Sequence, residues 1–155
     1  MIRKMTEADL PRVLELEAEC FPEGPWPEKE YRYELFENPF SKLMVYEEDG
    51  KILGYIDWWI LYDKAQLANI GVALSARHKG IARVLMDECI KDANKEGCET
   101  LSLEVRVSNM AALKLYRAYG FIEAAIRRNY YENGEDAILM VLPLGGESDD
   151  TDTGN

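Results

Sequence analysis

Residues 101–107, Leu-Ser-Leu-Glu-Val-Arg-Val, alternate apolar and polar without a fault. Leu101, Leu103, Val105 and Val107 fall on one side of an extended segment; Ser102, Glu104 and Arg106 fall on the other. A strand covered by helices normally reads as a continuous apolar run, and a carboxylate in its middle is costly to bury unpaired. Two outcomes are open for Glu104. Either it pairs with a cation such as Arg106, or that face is solvated as a cleft would be, and Glu104 is a general base with a pKa raised by partial burial. Tyr116 follows Asn109 by seven residues, two helical turns, and so shares its side of the helix. Its hydroxyl, with a reference pKa of ~10, can protonate a thiolate leaving group only with help from geometry and hydrogen bonding. Periodicity alone favours a tyrosine that packs its ring in the core.

The second feature is Asn69 to Met86, which reads as a buried strand, a basic glycine loop and a helix start. The loop Arg77-His78-Lys79-Gly80-Ile81-Ala82 falls where a helix has orphaned N–H donors beside the positive end of its dipole. That is a ready anion site, and Gly80 removes the Cβ that would block a phosphate. Arg77, His78, Lys79 and Arg83 add positive potential. A βα turn that only needs a small residue explains one glycine equally well.

That basic loop stands out because the chain is acidic: 29 acidic against 18 basic residues give a net charge of −11. Such a balance excludes sequence-independent nucleic-acid binding, which needs a basic footprint. It suits a cationic substrate, or solubility alone. The 155 residues, 47% of them hydrophobic, can build one domain with a core. No apolar run is long enough to span a membrane, and Glu7 and Asp9 interrupt any signal-peptide pattern. Cys20, Cys89 and Cys98 lack metal-ligand spacing and read as reduced thiols of a cytoplasmic protein. No metal site is expected.

The elements that must position these residues follow from periodicity and turn signals. Met1–Met5 is a strand, and Thr6 caps a helix to about residue 20. Phe21 to Pro27, with three prolines and a glycine, is an ordered loop whose Trp26 packs down or lines a pocket mouth. A short helix covers 28–37. Strands follow at 42–47, 51–61 and 66–72, turning at Asp49-Gly50 and Asp63-Lys64. A helix covers 81–96 and a parallel, interior strand 101–107. Asn109 caps a helix over 110–119. Strands at 121–128 and 137–142 flank an Asn133-Gly134 hairpin signal, with Tyr130 and Tyr131 beside it. The order predicts an α/β fold: a mixed sheet of seven strands, mostly antiparallel, with helices on both faces. Residues 1–144 form a single domain, and 145–155 an acidic, disordered tail. No exposed apolar helix stands out, so a monomer is expected.

Together these segments resemble the GNAT-type N-acetyltransferases, and more closely the RimI-type N-terminal alanine acetyltransferases of ribosomal proteins. The likeness rests on Asn69-Ile70-Gly71-Val72, Arg77-His78-Lys79-Gly80-Ile81-Ala82 and Leu103-Glu104-Val105-Arg106-Val107-Ser108-Asn109. Ala111 to Tyr116, Tyr119-Gly120-Phe121, Ile126 to Tyr131 and Glu135 to Ile138 add to it. It is densest from residue 66 to 142, and the N-terminal third matches less tightly. The resemblance implies acetyl-CoA as cosubstrate. Its pyrophosphate would lie on the amides of residues 77–82 followed by Arg83, and its pantetheine arm on Ile70, Gly71 and Val72, with Asn109 also in contact. The strands at 66–73 and 101–107 would splay apart there. Glu104 matches the general base and Tyr116 the general acid. The acceptor would be the N-terminal α-amine of a protein, such as a ribosomal protein, gripped by Trp26, Tyr130 and Tyr131. A lysine side chain, a small amine, or CoA binding without turnover are the alternatives. The chain departs from the family in having Ala73-Leu74-Ser75 where a proline is common, and Ala82 where the loop often ends in glycine.

Overall fold

The computed structural model describes residues 1–145. The acidic tail expected at 145–155 therefore lies outside the described residues from 146 on. Eleven main elements follow in order: β1 (Ile2–Lys4), α1 (Leu10–Cys20), α2 (Glu28–Phe36), β2 (Ser41–Glu48), β3 (Lys51–Leu61), β4 (Lys64–Val72), α3 (Ile81–Lys95), β5 (Thr100–Arg106), α4 (Met110–Ala118), β6 (Ile122–Arg127) and β7 (Ala137–Pro143). The strands make one seven-stranded sheet in the order β1-β2-β3-β4-β5-β7-β6. β1/β2, β2/β3, β5/β7 and β6/β7 are antiparallel, and β4/β5 is parallel. The parallel ladder covers Lys64↔Thr100, Ala65↔Leu101 and Gln66↔Ser102, and β4 runs on to Val72. The expected α/β class, strand number and parallel interior strand are what is observed. One turn moves by a residue: Tyr62 and Asp63, not Asp63 and Lys64, separate β3 from β4, because Lys64 already pairs with Thr100.

The chain forms two compact units. Among the described residues, one comprises Met1–Trp59 with Leu67–Lys91; the other comprises Ile60–Gln66 with residues 92–145. In the first, α1 buries Leu10, Val13 and Leu16, while β2 and β3 bury Val45, Tyr55, Ile56 and Trp58. The helix start at Thr6 is locked by Asp9, whose carboxylate accepts the Thr6 N–H at 2.8 Å and both arms of the Arg3 guanidinium. In the second unit, Leu101, Leu103 and Val105 of β5 are buried while Ser102, Glu104 and Arg106 are half-buried, as the alternation requires. Val107 leaves that pattern. It lies past the strand end and is exposed, its N–H drawn to the Asp136 carbonyl.

The first unit holds a buried acid away from the expected site. Asp57 is wholly buried on β3 and accepts the Ser41 hydroxyl at 2.7 Å. Burial pushes its carboxyl up to about 10, with Glu34 beside it adding to the rise. The folded pKa stands above the ordinary 3.8, so the folded chain holds a proton that the unfolded chain releases. The stability tied to that proton is complete below the unfolded value and drains away as pH rises toward about 10. Tm should therefore decline from about pH 5 to about pH 9, and Asp57→Asn should flatten that slope in a thermal-melt series.

Candidate active site

Two sets of side chains carry the expected chemistry, one in each unit. In the first unit, β4 ends at Val72, a short 3₁₀ turn covers Leu74–Ala76, and the loop from Arg77 to Gly80 leads into α3. Arg77, His78, Lys79 and Gly80 are all exposed. His78 and Gly80 both take positive φ, 66° and 83°. A Cβ at Gly80 would meet nothing, so its left-handed backbone, not crowding within the protein, is what demands glycine. The first bond of α3 runs from Val84 N–H to the Gly80 carbonyl, 3.1 Å. The amides of Ile81 and Ala82 precede that bond, the arrangement that binds anions at helix starts. The Arg77 guanidinium folds back instead, donating to the Val72 carbonyl at 3.2 Å and to Cys20 Sγ at 3.5 Å. What Arg77 contributes to the outer face of the loop is charge and backbone.

Gly71 is needed for a different reason. A Cβ there would overlap the Tyr55 hydroxyl and ring. Beside it, the Ile70 N–H is accepted by the Asn69 side-chain oxygen at 3.0 Å. Trp26 lies in the loop before α2, its ring tilted on Tyr31 at 5.3 Å. Its backbone N–H donates to Glu17 Oε2 at 2.8 Å. Glu17 is 1% exposed and also receives the Tyr31 and Tyr55 hydroxyls, each at 2.6 Å, and Asn69 Nδ2 at 2.9 Å. Glu17 is not among the residues whose type and spacing pointed to chemistry. Its signal was position: Leu10, Val13, Glu17 and Cys20 recur at helical spacing, so an acid stands in the apolar stripe of α1.

In the second unit, Glu104 meets Arg127, whose Nε donates to Oε2 at 2.8 Å. The expected partner, Arg106, is engaged elsewhere. Register explains the exchange. Arg106 and Arg127 both pair with Ala137, one from each side of β7, so the two guanidiniums flank a residue too small to separate them from Glu104's face. Arg127 reaches back across β7 to Glu104. Arg106 turns to the β6–β7 connection, where it bonds Glu135 and Asn133 at 3.2 Å each and lies 4.0 Å over the Tyr131 ring. Glu135 also accepts the Ser108 N–H at 2.9 Å. The Ser108 hydroxyl is the main cause holding Glu135 below the usual carboxylate range.

The tyrosines of the β6–β7 connection stand within electrostatic reach of Glu104. Tyr130 and Tyr131 meet edge to face at 5.0 Å. Burial is the main cause raising both phenols, Tyr131 to about 12, and the Glu104 charge adds to each rise. The carboxylate expected to act as base and the tyrosines expected to hold substrate thus share one neighbourhood. Tyr116 is 6% exposed on α4, with its ring 5.6 Å from Phe121. That burial fits the core packing that periodicity favoured. Asn109 caps α4, its Oδ1 accepting the Ala112 N–H at 3.1 Å, so its amide nitrogen is what it can offer a ligand. Asn109→Ala should cost about 1 kcal/mol of stability in urea unfolding.

Among the described residues no cluster of three or more His, Cys, Asp or Glu side chains could hold a metal ion, and no helix is long and apolar enough to cross a membrane.

The chain belongs to the acetyltransferase (GNAT) family, whose model matches residues 10–121. Members of that family use acetyl-CoA. More particularly, it is 39% identical over 144 residues to a Bacillus subtilis (strain 168) protein named as a putative ribosomal protein bS18-alanine N-acetyltransferase, covering 92% of this chain and 95% of that one. It is 37% identical over 148 residues to the ribosomal protein bS18-alanine N-acetyltransferase of Escherichia coli (strain K12), covering 92% and 97%. The crystal structure of the ribosomal-protein-S18-alanine N-acetyltransferase from Escherichia coli matches with a TM-score of 0.84 at 36% identity, over 95% of this chain and 96% of that one.

Proposed function

We propose that this protein transfers the acetyl group of acetyl-CoA to the N-terminal α-amine of a protein, with an alanine-initiated ribosomal protein as acceptor. The observation that carries it is Glu104 set among Tyr130 and Tyr131, in a chain that matches bS18-alanine acetyltransferases over more than nine-tenths of its length. Residues 1–144 are read as one functional domain, active as a monomer in the cytoplasm, where ribosomal proteins are made.

The residues present fit acetyl-CoA. The positive-φ loop of His78 and Gly80, the amides of Ile81 and Ala82, and the charges of Arg77, Lys79 and Arg83 suit its diphosphate. Gly71 and Val72 would supply strand backbone to the pantetheine, together with the Ile70 carbonyl and the Asn109 amide. Bound acetyl-CoA supplies an activated acyl carbon and a thiolate leaving group. Among the described residues Glu104 hydrogen-bonds through Oε2, which leaves Oε1 to accept the amine proton, directly or through a water. An α-amine titrates near ~7.7–8.0 and needs only such a weak base, whereas a lysine amine near ~10.4 would cost roughly 3 kcal/mol more to deprotonate. The Tyr116 hydroxyl is assigned the proton for the departing thiolate, and Trp26, Tyr130 and Tyr131 hold the peptide.

The test is mass spectrometry of a peptide library offered with acetyl-CoA, comparing free N-termini with internal lysines. Acetylation at N-terminal alanine is expected. Labelling confined to lysines or to small amines would sink the proposed acceptor.

A further inference from the structure

We propose that Glu17 is a positioning residue that sets the acceptor loop and the end of β4 from one buried point. This role rests on the acetyl transfer proposed above. Its two carboxylate oxygens face donors only. Oε2 receives the Trp26 N–H from the Phe21–Pro27 loop; Oε1 receives Tyr31 from α2, Tyr55 from β3 and Asn69 from β4. A carboxylate is the one side-chain group that accepts four such bonds without offering a donor of its own. Burial keeps the Tyr31 and Tyr55 phenols well above their ordinary values, so both remain donors.

Three of the four bonds lead to segments that the proposed reaction uses. The Trp26 bond ties down the loop assigned to the acceptor peptide. The Asn69 bond fixes the orientation of that amide: Nδ2 faces Glu17 and the Tyr31 oxygen, so Oδ1 must face the Ile70 N–H. The Ile70 donor is thereby spent inside the protein. The Tyr55 hydroxyl, held by the same carboxylate, fills the space a Cβ at Gly71 would need. One anion thus decides where Trp26 stands and which groups of Ile70 and Gly71 remain for a ligand.

The test is steady-state kinetics of Glu17→Gln, Asn69→Ala, Tyr31→Phe and the Glu17→Gln/Asn69→Ala double variant, with an alanine-initiated peptide and acetyl-CoA each varied. Glutamine keeps the shape but turns an NH₂ toward donors, so Glu17→Gln should lower kcat/KM by about 100-fold and raise KM for both substrates. Asn69→Ala should raise KM for acetyl-CoA alone, and the double variant should be no worse in that respect than Glu17→Gln. Variants that lose Tm but keep both KM values would show a merely structural role and overturn the proposal. Should Glu17→Gln not fold, Tyr31→Phe decides: a raised peptide KM supports positioning, an unchanged one refutes it. Should the wild-type chain acetylate no peptide, the proposed function falls on its own. Hydrogen exchange at the Trp26 amide then decides this inference, faster exchange in Tyr31→Phe supporting it and equal exchange refuting it.

Discussion

Glu104→Gln is expected to lower kcat for the alanine-initiated peptide by about 10²-fold or more, with the fold intact, because it removes the proposed general base and little else. The glutamine oxygen can still accept from Arg127, so the brace across β7 survives and far-ultraviolet circular dichroism should be unchanged. Its KM for acetyl-CoA should hardly move, since Glu104 is assigned no contact with the nucleotide. The loss should narrow as pH rises toward the α-amine pKa of about 8, where the acceptor arrives already neutral. An undiminished rate at neutral pH would remove Glu104 from the mechanism.

Arg127 sharpens this test. Arg127→Gln frees Oε2 and removes the cation that holds the carboxylate, without touching the proposed proton-accepting oxygen. A change in rate much smaller than that of Glu104→Gln would separate the base from its brace.

Gly71→Ala carries the second large effect. The added methyl would overlap both the hydroxyl and ring carbons of Tyr55, a side chain packed with no exposed surface and tied to Glu17. Neither can yield cheaply, because moving Tyr55 breaks a bond to a buried carboxylate. Overpacking of this kind costs about 1–3 kcal/mol, and the forced shift of β4 should also weaken acetyl-CoA binding. Calorimetric binding and urea unfolding read the two losses independently. Tyr55→Phe in the same chain should restore only part of each, since it clears the hydroxyl and leaves the ring. A wild-type Tm and affinity in Gly71→Ala would show that Tyr55 moves freely.

Much of the molecule was legible in residue order. The alternation from Leu101 to Arg106 named the strand, its buried face and the exceptional carboxylate, because side-chain direction in a strand has period two. Asn109 and the Asp49-Gly50 turn were readable because helix caps and tight turns each admit few residue types, whereas the left-handed backbone that demands Gly80 shows only in the structure. The family itself showed in short motifs spread from residue 66 to 142.

Partner choice was not legible. Arg106 stands two residues from Glu104 on the same face and looked like its counterion. Only the register of β5, β7 and β6 reveals that Arg127 arrives at that face from two strands away, across Ala137. Glu17 was hidden for the same reason. An acid in an apolar helical stripe announces a buried charge, but not that a loop amide, two phenols and an asparagine from four separate segments converge on it. Local sequence therefore determined the elements, their faces and their caps, since those follow from periodicity and backbone preference over a few residues. Which donors meet which carboxylates was decided by tertiary structure alone, because burial makes an unpaired charge so costly that distant segments must be brought together to satisfy it.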